Sequence, residues 1–252
     1  MKPTRVIVVM AVLAGTGCTV EYDSGGGAAD GDYHGEGMGE STDDTKSDSR
    51  MTVGAAVTRT CTTSSLAPLS LQIAAEVQCI APESLQAFSE GDGITFSGGA
   101  AVIPYLAPDA IAGLQNAAQI EGSVQVVSAY RTVAQQYLIY RWYKAGRCGI
   151  PVAAQPGASN HESGRALDVQ NWANVRVTLE SEGWAHDVPG DGVHFTSSAT
   201  SAQGLDVLAF QRLWNRNNPE DLIAEDGDYG PQTADRLSRA PIRGFDVGAS
   251  CL

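Results

Sequence analysis

Three of the four histidines, His161, His186 and His194, fall within 34 residues of one another, in a stretch that also carries Asp168, Asp187 and Asp191. Imidazole nitrogen and carboxylate oxygen are the donors a borderline-soft ion such as zinc takes, and a zinc that does chemistry keeps one position for water. A single histidine is more often a surface or satisfied core residue; three beside three aspartates point to a metal centre. His34, the fourth, stands apart in a polar N-terminal stretch.

Other routes to hydrolysis are missing. His161-Glu162 opens like the zinc-protease helix motif, but Arg165 stands where the second histidine belongs. No Gly-x-Ser-x-Gly elbow occurs, and none of the lysines has a serine three residues before it. Cys148 could act as a nucleophile, although pairing in a disulfide is the better reading for an exported chain.

The elements that must position these residues follow from periodicity and breakers. Leu69, Ile73, Ala74 and Val77 fall at helical spacing, and Pro108 to Ala118 makes a second helix. Val124 to Ser128 predicts a strand, and Val133 to Ala145 a helix closed by Gly146. Residues 149–164 form an irregular loop, followed by a strand over Ala166 to Val169 and a helix over Trp172 to Glu182 that stops at Gly183. Val207 to Trp214 is an apolar helix, and Pro231 opens another. Both kinds of element without βαβ regularity predict an α+β fold.

Charge and ends bound the partners. The net charge of −13 argues against nucleic acid, and much of it lies between Thr19 and Arg50, where nine acidic residues face only Lys46 and Arg50. Lys2 and Arg5 precede an apolar run from Val6 to Ala14, too short to span a bilayer, which reads as an export signal over 1–17. Gly15-Thr16-Gly17-Cys18 is similar to a lipoprotein cleavage box with Gly15 where leucine is usual, so Cys18 is the expected lipidation site, with plain secretion as the alternative. Residues 18–60 read as a disordered acidic, Gly/Ser-rich tether. Cys61, Cys79, Cys148 and Cys251 then remain for two disulfides, and a Cys61–Cys251 pair would clamp the folded region's ends.

Ser159-Asn160-His161-Glu162-Ser163-Gly164-Arg165-Ala166-Leu167-Asp168 resembles the Ser-x-His-x-x-Gly-x-Ala-x-Asp motif of the D-alanyl-D-alanine metallopeptidases. Ser128-Ala129-Tyr130-Arg131 with Gln135-Gln136 resembles that family's Ser-x-Tyr-Arg segment, and Asp191-Gly192-Val193-His194-Phe195 its acidic-x-x-His-Phe segment. The three blocks come in the family's order and span residues 68 to 198. The resemblance implies a fold shared with the Hedgehog domain and a zinc ion on His161, Asp168 and His194. It implies Asp191 as general base, Arg131 on the substrate carboxylate or the oxyanion, and Ser128, Tyr130 and Gln136 among the substrate contacts. It gives His186 no role.

Ala209-Phe210-Gln211 and Asp226-Gly227-Asp228-Tyr229-Gly230-Pro231-Gln232-Thr233 resemble a small helical peptidoglycan-binding domain, shortened here. The expected organisation is a zinc peptidase domain over 61–200 and a peptidoglycan-binding-like helical module over 201–252. The expected protein is a monomeric, exported envelope lipoprotein, periplasmic or on the outer surface. It would meet the membrane only through its lipid and would hydrolyse peptidoglycan stem peptides, above all as a D-alanyl-D-alanine carboxypeptidase. The alternatives are an L,D-type or other wall endopeptidase of the same fold, or a non-catalytic wall-binding protein stapled by zinc.

Overall fold

A computed structural model describes residues 51–199 and 203–251; the export signal, Cys18 and most of the expected tether lie outside them. The tether itself ends earlier than expected. Thr52 accepts the Ala55 N–H and starts helix α1 (Val53–Arg59), on which Val53 and Ala56 are fully buried. Val53, Ala56 and Val57 make an apolar face too short to stand out against the polar stretch before it, but long enough to reach the core.

Two further helices follow the expected periodicity. Helix α2 (Ala67–Ile80) buries Leu69, Ile73, Ala74 and Val77, and α3 (Pro108–Glu121) starts on a proline and ends at Gly122. Between them lie the short strands β1 (Gln86–Ala87), β2 (Ile94–Phe96) and β3 (Tyr105–Leu106). Strand β4 (Val124–Ser128) leads into α4 (Val133–Lys144), whose Thr132 and Gln135 form a capping box. Strand β5 (Ala166–Val169), helix α5 (Trp172–Ser181), strands β6 (Trp184–Ala185) and β7 (His194–Ser197), and helices α6 (Leu205–Asn217) and α7 (Pro231–Arg239) complete the order.

The main sheet runs β2-β4-β5-β7-β6. Strands β2 and β4 are parallel, joined by a crossover that contains α3, and the other pairs are antiparallel. The architecture is α+β, with one βαβ unit that the sequence pattern did not declare. Strand alternation splits the sheet's faces. Leu167, Val169 and Phe195 join Leu114, Ala118, Val175 and Leu179 of α3 and α5 in one buried cluster. Asp168 and His194, directly opposite one another, take the other face. A register shift in β4 between Val126 and Ser128 re-aims Ser128 to sit opposite Asp168. Three polar side chains thus lie abreast on neighbouring strands.

A second cluster gathers α1, α2, α4, α6 and α7. Phe210, Leu213, Trp214 and Leu237 pack there with Leu69, Ile73, Leu138 and Trp142, so residues 205–245 of the expected small helical module share a core with the region before them. Arg216 clasps the buried Glu76 of α2 with two 2.9 Å contacts. The disulfides are Cys61–Cys148 and Cys79–Cys251, which corrects the expected end-to-end clamp. Cys61 follows α1 and Cys148 follows α4, and these two helices pack together. Cys79 closes α2, against which the C-terminal tail lies.

Candidate metal centre

Each ligand is presented by a local device. Ser159 caps the 3-10 turn Asn160–Ser163: its Oγ accepts the His161 N–H, and its own N–H donates to Glu162 Oε2. Gly164 follows with φ of +71°, where a Cβ would lie 2.5 Å from Leu85 Cδ2 and 3.0 Å from Ala107 N, so only glycine carries the chain into β5. Two residues of β5 later comes Asp168, and β7 begins with His194.

His161 Nε2, Asp168 Oδ1 and His194 Nδ1 lie 3.2 Å from one another on every edge. His161 Nδ1 donates to the Ala129 carbonyl at 2.8 Å, which leaves the lone pair on Nε2. His194 Nε2 lies 3.1 Å from Thr196 Oγ1, an oxygen able to accept its proton, which leaves Nδ1 free in the same way. Three acceptors turned on one point repel unless a cation sits between them. Three atoms with edges of this length outline one face of a tetrahedron whose centre is about 2.0 Å from each, the zinc–nitrogen and zinc–oxygen distance. The donor set fits zinc.

Arg131 orients the carboxylate. Its Nη2 donates to Asp168 Oδ2 at 2.9 Å and to Ser128 Oγ at 3.2 Å, while Nη1 donates to Gln136 Oε1 at 3.3 Å. Burial pushes the Asp168 carboxyl up, but His161, His194 and Arg131 outweigh it and hold the group well below the usual carboxylate range. Burial also lowers the His161 imidazole, with Arg131 adding to the effect, which favours the neutral ring a metal needs. The backbone repeats the link, since the Arg131 N–H donates to the His161 carbonyl.

The three ligand atoms open into a cavity of about 260 Å³ that Arg131, Gln136, Asn160 and Asp191 also line. Among the described residues, no other cluster of three metal-ligating side chains forms. A family model described as VanY, D-alanyl-D-alanine carboxypeptidase, matches residues 104–191, which include Arg131, His161, Asp168 and Asp191. This is a zinc metallopeptidase centre. No curated protein and no solved structure matches the chain.

The peptidase site brings together most of the residues expected there, with different duties for some. Ser128 and Gln136 hold the Arg131 guanidinium, and Gln136 also donates to the Ala154 carbonyl. Tyr130 was expected at the substrate, but it is 1% exposed in the second core, because the chain turns inward after β4. Asp191 lines the cavity from the loop before β7. His186 donates to or accepts from no ligand; its ring stacks on Trp172 at 5.2 Å and its Nε2 lies 2.8 Å from the Gly192 carbonyl, which pins the loop that carries Asp191. Two partners escaped the sequence reading. Thr196 is legible in hindsight, two residues after His194 on the same strand face, whereas the Ala129 carbonyl has no side-chain signal at all.

Proposed function

We propose that the protein is a D-alanyl-D-alanine carboxypeptidase acting on peptidoglycan stem peptides, with Asp191 as its general base. The observation that carries this reading is that Asp191 and Arg131 line one cavity with the three-ligand cluster. A zinc ion held there would supply Lewis acidity for the scissile carbonyl and bring the pKa of water toward about 7. His161, Asp168 and His194 would hold that ion, and the Arg131 contact on Oδ2 keeps Asp168 Oδ1 beside the two histidines. The Asp191 carboxylate takes a proton from the attacking water and returns it to the leaving amine nitrogen. Ile139, Val152, Ala153 and Ala154 give the cavity a wall without charge, which suits the methyl groups of alanine. The disulfides and the N-terminal signal support action outside the cytoplasm.

One observation favours a second reading. Both terminal nitrogens of Arg131 are engaged by Asp168, Ser128 and Gln136, so its fork is not free to take a terminal carboxylate bidentately unless those contacts loosen. An endopeptidase needs no such fork. Cleavage of a stem pentapeptide ending in D-Ala-D-Ala is compared with cleavage of its C-terminal amide. A carboxypeptidase loses about 10- to 100-fold on the amide, the worth of a charge-assisted contact. Equal cleavage, or release of a fragment larger than one alanine, replaces the carboxypeptidase with an endopeptidase.

A further inference from the structure

The loop over 149–164 forms one wall of the cavity and delivers His161, yet it holds only a single 3-10 turn. Its fixation comes largely from Glu162, which is fully buried: Oε1 accepts the Gly157 N–H at 2.8 Å and Oε2 the Ser159 N–H at 2.9 Å. What stands behind Glu162 belongs to the C-terminal segment. Asp206, in the first turn of α6, is fully buried, and its charge is felt by Glu162 and by the Tyr130 phenol.

An acidic residue in a helix's first turn ordinarily serves the helix dipole from the surface. Asp206 does not fit that role, because its carboxyl is fully buried, turned to the Glu162 side chain and to the backbone of Val207 and Val133. Burial pushes the Asp206 carboxyl up to about 7.

The same segment meets the loop twice more. Gln203 Nε2 donates to the Gly157 carbonyl at 2.5 Å. At Gly157, where φ is +84°, a Cβ would come 3.0 Å from Tyr229 Cβ and 3.7 Å from Val207 Cγ2, so the loop lies directly on α6 and on the turn before α7.

We propose that Asp206 is a positioning residue for the zinc centre: packed against Glu162, it fixes the loop that presents His161, so that the C-terminal segment completes the metal site. This rests on the zinc centre and not on which stem bond is cut. The test uses the full chain. Zinc affinity is measured by competition with a chromophoric chelator, and the visible absorption of the cobalt(II)-substituted protein reports ligand geometry. Asp206→Ala should weaken zinc binding by about 10- to 100-fold, as loss of a supporting contact behind a ligand does, and should shift the cobalt bands. Asp206→Asn, which keeps the side chain's shape and packing, should restore both to within about threefold on that scale. Asp235→Ala, an exposed change on α7, should leave both unchanged. A folded Asp206→Ala with wild-type affinity and spectrum overturns the proposal, as does an equal loss in Asp235→Ala. If Asp206→Ala does not fold, Asp206→Glu presses one methylene further toward Glu162, and unchanged affinity there overturns it too. A chain that binds zinc normally but cleaves no stem peptide defeats the proposed function and leaves this inference standing.

Discussion

Asp191 and Asp168 are both aspartates of one cavity, and their surroundings give them different work. Asp168 is locked by Arg131 on one oxygen and by two histidines on the other, so it has no freedom to exchange protons during a reaction. Asp191 lines the cavity on a loop steadied by His186. Asp191→Asn should therefore keep one zinc per chain while kcat falls by about 100-fold or more, the contribution of a positioned base. Metal analysis beside single-substrate kinetics reads both, and wild-type kcat would move the base elsewhere in the cavity. At this scale the sequence was informative about ligands, because imidazoles and a carboxylate at fixed spacing have few other uses. It was misleading about Tyr130, since a motif position does not say on which side of a turn its ring falls. It was silent on Glu162 and Asp206, whose meeting joins positions 44 residues apart.

At the scale of elements, the long amphipathic helices were legible and the short strands were not. Helices α2 to α5 repeat apolar residues over three turns or so, enough for the 3.6-residue period to declare itself. Strands of two or three residues, as in β1, β2, β3 and β6, offer no alternation to read; β2 and β6 pair with the longer β4 and β7, and β1 and β3 with each other. Helix α1 was hidden because it is short and follows an acidic stretch. Its attachment is covalent as well as apolar: Cys61–Cys148 closes a sequence separation of 87, and Trp142 Nε1 donates to the Val57 carbonyl. Replacing both cysteines by serine should cost about 2–5 kcal/mol by releasing the unfolded chain. Zinc content should not change, because Arg131 lies before α4 and Cys148 beyond its far end, with 12 helical residues between, a run of about 18 Å. Urea denaturation with metal analysis tests the pair of claims, and loss of zinc on removing this bond would show that α4's far end governs the centre.

At the scale of the whole molecule, the boundary expected near residue 200 has no counterpart in the packing. The sequence suggested it because residues 209–211 and 226–233 resemble a small helical peptidoglycan-binding domain, and such a resemblance says nothing about which apolar faces a segment shares. Here α6 lies along α2, Phe210 and Trp214 meet Phe245, and Val207, Leu213 and Leu237 are fully buried with residues of α2 and α4. Each such side chain contributes about 1.5–3 kcal/mol when buried, against a total stability of about 5–15 kcal/mol for a domain. Deleting residues 201–252 removes all six of them at once, together with the Arg216 clasp on Glu76 and the Cys79–Cys251 bond. The shortened chain should show no cooperative thermal transition and bind no stoichiometric zinc, because both α2 and the His161 loop lose the surface they rest on. Calorimetry and metal titration on the purified fragment decide it. A fragment that melts cooperatively with one tightly bound zinc would mean that the sheet, α3 and α5 hold the centre unaided, and that α6 and α7 are an addition to an already complete peptidase.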